Sequence, residues 1–440
     1  MLISAILAGN VCYAAVSADE ATALTKNLTP LGGERAGNAE GTIPAWDGGL
    51  TSINSQMVGD VPKELFASEK PIMQINSANM SEYIDKLTPG TQALLNKYPE
   101  TFRVDVYPTH RTATASASVY DKTLENATNC KLTFSGDSVE GCFGGIPFPI
   151  PQTGNEIIWN HLLRVEAESI EFGFKNLIVT SNGSRSLATR NDNNYQFPYY
   201  YKNSSVQDWN GNYILQRFST TAPAFKVGES LVLHDNVSPS KYRQAWQYLV
   251  GQRRVRKAPT VGYDTPDFVA SGANYFDEVH GFFGAPDRFD WKIIGKEEKY
   301  IPYNNNLLIT ADVEEAYTGH HFNSDNTRWE LHRVWVVEAT VKGDSRHAVP
   351  KRLFYIDEDT WLITLSDGYD GENNLWRTLQ VPSFVVPKIP ATVVKPVIVF
   401  NLEANTSSTV QSLNGETYRV VEKKDEDFFT GDAVAFDSMR

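Results

Sequence analysis

The side chains best able to do chemistry in this sequence are scattered along 440 residues, and each competes with a structural role. His320 and His321 lie near Glu314, Glu315 and Asp325, a set with the right atoms for a divalent cation. Adjacent residues on a strand point to opposite faces, so the two imidazoles do not easily share an ion, and a polar loop is expected instead. Asp367, Asp370 and Glu372 resemble pieces of a calcium loop without its spacing, which reads more simply as a hydrated turn between strands. His161, within Trp159-Asn160-His161, and His280 could act as general bases beside a carboxylate, although a histidine bonded to backbone is the commoner state. The one basic cluster is Arg253, Arg254, Arg256 and Lys257. On a strand, Arg254 and Arg256 share a face that could meet a phosphate or carboxylate headgroup, with a solvated outer face as the alternative. No Gly-x-Ser-x-Gly elbow, His-Glu-x-x-His motif, phosphate-binding Gly-Lys-Ser/Thr loop or strand-linked dinucleotide fingerprint occurs. Neither a metal nor a cofactor is expected.

The composition sets the stage for those residues. With 41% apolar and 12% aromatic residues the chain is expected to fold, and 53 acidic against 40 basic side chains give a net charge of −13. That surplus argues against nucleic acid, whose phosphates need clustered Lys and Arg. Residues 1–18 read as a signal peptide: Met1 to Val11 is apolar apart from Ser4 and Asn10, and small residues follow at Ala14 and Ala18. The basic residues that should precede such a stretch are missing. Removal of this leader leaves Cys130 and Cys142, an even pair at close spacing that favours a disulfide in an oxidising compartment.

The elements that must position these side chains are mostly strands. Asn182-Gly183 between Leu177–Thr180 and Ser184–Thr189 is a strong hairpin signal. Ala245–Val250 places Trp246, Tyr248 and Val250 on one face, and Gly251-Gln252 supplies a turn into Arg253–Lys257. Arg333–Lys342 likewise aligns Trp335, Val337, Ala339 and Val341. Pro89-Gly90 divides residues 80–98 into two short amphipathic helices. From Thr265-Pro266 the period becomes helical through Phe268, Val269, Ala273, Phe276 and Val279, until Gly281–Pro286 stops it. Leu353–Ile356 and Trp361–Leu365 enclose an Asp357-Glu358-Asp359 turn, and the four prolines of Pro382–Pro396 suit an edge segment. Residues 19–440 read as one domain, a mainly β (α+β) fold built on a large antiparallel sheet with a few helices.

Several stretches resemble one family: LGGERAGNAEGTIPAW (Leu31–Trp46), PFPIP (Pro147–Pro151), WNHLLR (Trp159–Arg164), the run Ala245–Glu278, RVWVVEATVK (Arg333–Lys342) and KRLFYIDEDTW (Lys351–Trp361). It is a proteobacterial domain of unknown function, often labelled outer-membrane lipoprotein-sorting-protein-like, and the resemblance spans about residues 24–430 in order. The family is similar in fold to the periplasmic carrier LolA and the outer-membrane receptor LolB, curved antiparallel half-barrels whose helices close an apolar cavity. The resemblance therefore implies a periplasmic, non-catalytic binding or transfer protein for a lipid-like or other hydrophobic molecule. An envelope transporter or outer-membrane protein is the implied partner, and peripheral attachment to the outer membrane is a further expectation. Trp246, Tyr248, Phe268, Phe276, Phe282, Phe283, Trp335 and Trp361 are the expected cavity or plug residues, with Arg254 and Arg256 at a headgroup. Two alternatives remain open: an envelope scaffold with a filled core, and a hydrolase using His161 or His280.

Overall fold

The computed structural model describes residues 15–50 and 52–437. Most of the signal-peptide reading therefore lies outside the described residues. Sixteen strands form one sheet. In chain order they are β1 (Met73–Ile75), β2 (Val104–Val106), β3 (Ser169–Val179), β4 (Arg185–Gln196), β5 (Asn212–Ala222), β6 (Ser230–Asn236), β7 (Arg243–Leu249) and β8 (Arg254–Lys257). There follow β9 (Phe289–Pro302), β10 (Trp329–Val341), β11 (Lys351–Asp357), β12 (Ile363–Tyr369), β13 (Leu375–Gln380), β14 (Val397–Asn401), β15 (Thr406–Ser412) and β16 (Tyr418–Val420). The pairing order is β8-β7-β6-β5-β4-β3-β15-β14-β13-β12-β11-β10-β2-β1, with β9 on β10 and β16 on β3. Every pairing is antiparallel except the single bridge Trp329–Val106, and the path does not close, so the sheet is an open half-barrel. Among the described residues four α-helices of seven or more residues lie against it: α1 (Pro89–Lys97), α2 (Ala117–Asn129), α3 (Gly154–Leu162) and α4 (Gly431–Asp437).

The period of two decides which residues enter which core. Along β14, Val397 and Val399 join one large cluster while Ile398 and Phe400 join another, so the central strands are covered on both faces. The inner face also carries Phe174, Tyr195, Phe218 and Leu231, and packs against α3 and the hairpin Ser383–Val386/Ala391–Val394. That hairpin occupies the proline-rich segment expected at an edge; it pairs only with itself and is buried throughout. The opposite face packs against α1. A capping box closes the start of α3, where Thr153 accepts from Glu156 N–H and Glu156 accepts from Thr153 N–H.

Several expectations need correction. Residues 265–279 are not a helix but two 3₁₀ turns, Phe268–Ala270 and Phe276–Glu278. Asp267 N–H donates to Asn274 O (2.8 Å) across the intervening loop, where Ser271 and Gly272 have φ of +56° and +78°, and a left-handed pair ends any α-turn. Of the two helices expected within 80–98, the first is a 3₁₀ segment, Met80–Lys86, and the second begins at the proline itself, capped by Thr88. Asp367 is no hydrated turn. It is wholly buried on β12, where it accepts from Gly90 N–H at the start of α1 (3.0 Å) and from Thr378 Oγ1 (2.8 Å). Burial pushes its carboxyl up to about 6. Asp370 does form the expected exposed turn, accepting from the N–H groups of Glu372 and Asn374.

Candidate functional site

The segment that connects β8 to β9 crosses the inner face of β3–β6 and presses Val269, Phe276, Val279 and Phe283 onto Phe174, Tyr195, Phe218, Leu231 and Val410. Between the two layers remains a void of about 30 Å³, roughly the room of one water. The segment has two unlike halves. Residues 265–276 form a loop held from the sheet side by Thr189 Oγ1 on Val269 O (2.9 Å) and Lys226 Nζ on Phe268 O (3.4 Å). Residues 277–283 are clamped: Asp277 receives Arg352 of β11 (2.6 Å), and Glu278 receives both arms of Arg377 of β13 (2.6 and 2.8 Å). Gly281 seals the clamp, since a Cβ there would stand 2.5 Å from Ile363 Cγ2. The loop is thus tied to the sheet by fewer and weaker polar contacts than the clamped half.

A buried polar relay runs beneath the clamp. Arg164 NH2 lies 3.3 Å from Glu166 and donates to His280 Nδ1 at 3.2 Å; His280 Nε2 reaches Gln411 Oε1 at 3.2 Å, and Gln411 Nε2 donates to Tyr195 Oη at 3.0 Å. Gln411 and Tyr195 line the void, while Glu166 lines a second, larger cavity of about 260 Å³ between α2, Tyr200, Tyr201 and Ile389. Because Nδ1 accepts from Arg164, the neutral ring carries its proton on Nε2. Lys395 Nζ lies 3.0 Å from that same nitrogen. Burial, reinforced by Arg164 and opposed by Glu166, pulls the Lys395 pKa down to about 7, and burial with both cations holds His280 well below its ordinary value. Asp267 in the loop also lines the void, and burial pushes its carboxyl up to about 6.

The two candidate bases have other tasks. His161 is wholly buried; its Nε2 lies 3.1 Å from Phe282 O and its Nδ1 3.1 Å from Trp361 O and 3.3 Å from Ile363 N, which pins the clamp to α3. Burial lowers its pKa to about 3. His320 stacks on Tyr98 and His321 lies tilted against the same ring while bonding Thr101 and Phe322 O; Glu314 pairs with Arg185 and Asp325 with Arg103.

Of the expected lining residues, Phe276 and Phe283 reach the void and Phe268 lies beside it, edge-on to Phe276 at 5.3 Å. Phe282 does not: it packs into a separate aromatic group with Trp291, Phe289 and Phe354. Trp246 and Tyr248 face the other side of the sheet, under Phe429 and Val434, because β7 turns Ala245 rather than its neighbours inward. Arg254 and Arg256 are exposed on the sheet's last strand, away from the void. Trp335 and Trp361 stack at 6.5 Å beneath the N-terminal strap, where Trp361 Nε1 donates to Leu31 O (2.8 Å). Cys130 and Cys142 are joined as expected.

Three of the stretches quoted for the resemblance, residues 31–46, 333–342 and 351–361, meet at that strap. Arg111 grips Asp359 with two bonds (2.8 and 2.6 Å) and Glu34 O with a third (2.6 Å); Lys296 bridges Glu34 and Glu358, and Arg333 bonds Glu358 and Ala36 O. His332 lies between Glu330 (3.1 Å) and Asp357 (3.5 Å). Burial opposes its charge, yet the two carboxylates outweigh burial and hold the pKa up to about 9. His332, Asp357 and Asp359 could reach one cation, but Arg111 already occupies both oxygens of Asp359 and the imidazolium occupies the centre. The arrangement is a buried ion-pair network that fastens residues 31–46 to the turn at 357–359.

A family model described as "Protein of unknown function (DUF1329)" matches residues 74–435. The chain belongs to this family. An uncharacterized protein of Pseudomonas aeruginosa is 44% identical over 391 residues, covering 86% of this chain and 84% of its own. Among solved structures, a putative outer membrane lipoprotein-sorting protein domain from Vibrio parahaemolyticus has a TM-score of 0.43 at 13% identity, over 64% of this chain and 97% of its own. A DUF1329 family protein from Desulfovibrio piger has 0.41 at 12%, over 61% and 92%. A LolA superfamily protein from Nitrosomonas europaea has 0.38 at 11%, over 64% and 100%. Among the described residues no helix is long and apolar enough to cross a membrane.

Proposed function

We propose that this protein is an exported, non-catalytic binding protein for a hydrophobic molecule, which enters between the inner sheet face and the loop 265–276. The observation that carries the reading is that loop: irregular, weakly tied, and laid with apolar side chains over an apolar sheet that still holds a small void. The Cys130–Cys142 bond supports an oxidising compartment, and handover to an envelope partner fits a carrier. Lifting Val269 and Phe276 off the sheet costs about 3–6 kcal/mol in lost burial. An acyl chain returns about 0.8 kcal/mol per buried methylene, so about four to eight methylenes are needed before binding breaks even. On this reading a shorter chain does not open the loop.

Native mass spectrometry of the gently purified protein, followed by organic extraction, tests this. A stoichiometric lipid-like adduct, lost on denaturation, is expected; a clean mass with no uptake from an envelope lipid extract would count against it. A second reading, an envelope scaffold, is favoured by the near-complete filling of the space between the loop and the inner sheet face, and the clean mass is its expected result.

A further inference from the structure

One end of the sheet gathers exposed apolar side chains and unpaired cations. Residues 223–229 join β5 to β6 and residues 250–253 join β7 to β8; in an antiparallel run both turns lie at the same end. They also touch, since a Cβ built on Gly228 would lie 3.2 Å from Val250 Cγ2. Phe225 on the first turn is 81% exposed, more than any other large apolar side chain among the described residues, with Val227 and Val250 beside it at 48% and 42%. Arg253 ends the second turn, and along the edge strand Arg254 and Arg256 lie on one face and Lys257 on the other, all four exposed. Among the described residues their side chains have no ion pair, whereas Arg111, Arg243, Arg352 and Arg377 each hold a carboxylate. Glu229 is the one carboxylate on the two turns. In a chain of net charge −13, four cations without an ion pair among the described residues, on the edge strand that leads from these exposed apolar turns, make an amphipathic tip.

We propose that this tip docks on an anionic lipid surface, Phe225, Val227 and Val250 entering the headgroup boundary and the four cations meeting lipid phosphates. The position suits the loop 265–276 as well. A narrow cleft lined by Lys226, Glu229 and Phe268 at the base of the tip shares Phe218, Leu231 and Val269 with the interior void. Docking itself does not depend on the ligand reading.

The test is co-sedimentation of the full chain with vesicles of phosphatidylcholine alone or with phosphatidylglycerol added. Wild type is expected to bind the anionic vesicles, to lose binding at high salt, and to ignore neutral ones. The triple variant Arg254→Gln/Arg256→Gln/Lys257→Gln should bind about a hundredfold more weakly, near fivefold per cation, and Phe225→Ser at least about tenfold, both with unchanged melting temperature. Equal binding to neutral vesicles, or variants that bind like wild type, would overturn the proposal. So would no vesicle binding at all, and capture by polyglutamate instead would mark the tip as a site for an acidic protein. Vesicle binding without any lipid adduct would leave docking standing and remove the carrier.

Discussion

Replacing Phe276 by alanine should make the protein a better binder of chains and a poorer folder, whereas replacing Phe282 should affect folding alone. Both side chains are phenylalanines in one short segment, 5% and 1% exposed, and composition does not distinguish them. They differ in their neighbours: Phe276 lines the void on the loop that lifts, and Phe282 sits among Trp291, Phe289 and Phe354 behind the clamp. Core Phe→Ala changes cost about 3–5 kcal/mol, so both variants should melt lower. A ligand entering Phe276→Ala no longer has to displace a ring worth about 1.5–3 kcal/mol of burial. Its affinity should therefore rise between about tenfold and a hundredfold, and the shortest chain that binds should shorten by about two to four methylenes. Calorimetric titration of delipidated protein with a fatty-acid series reads both quantities. Affinity independent of chain length, or equal gains in the two variants, would refute the reasoning.

Four further outcomes follow from buried residues. The Lys395 pKa, about 7 in the fold and near 10.4 unfolded, leaves more protons on the unfolded state between those values, so this group makes stability rise with pH across that window. His332, raised to about 9, adds stability below about 6.5 that is lost as pH rises through 9. The two oppose each other from pH 7 to 9; melting curves should steepen downward with pH in Lys395→Met and flatten or turn upward in His332→Gln. Asp267, raised to about 6, contributes stability present below about pH 4 and lost as pH rises through 6. Asp267→Asn keeps an acceptor for Val269 N–H, so it should raise the melting temperature at pH 8 but not at pH 4, and weaken ligand binding at pH 8 by holding the loop down. Gly33→Ala would place a Cβ 2.4 Å from Asp359 Oδ1, and should cost about 1–3 kcal/mol in chemical denaturation.

The sheet was legible where the signal was local. Asn182-Gly183 does turn β3 into β4, with Gly183 at φ +83°, and the alternation of residues 333–342 does send Val337 and Ala339 into the inner core. The capping box Thr153–Glu156 announces α3 just as locally and was the available clue to it. What failed depended on partners far away in the chain. Period alone could not tell that β7 presents Trp246 outward, because the covering Phe429 and Val434 lie about 180 residues downstream. A helical spacing of phenylalanines at 268–279 was overridden by the left-handed Ser271-Gly272 pair and by Arg352 and Arg377, which take Asp277 and Glu278 out of any helical course. The relay of Arg164, Glu166, His280, Lys395 and Gln411 has no spacing to read; topology alone assembles it.

Hydrogen exchange over residues 265–283 tests the central claim most directly. Residues 265–276 should exchange faster than 277–283 in the delipidated protein, because only the latter are held by buried ion pairs, and a saturating long-chain ligand should change exchange in the first half while leaving β9 and β10 as they were. Uniform protection across both halves, unaltered by ligand, would contradict a loop that lifts to admit cargo.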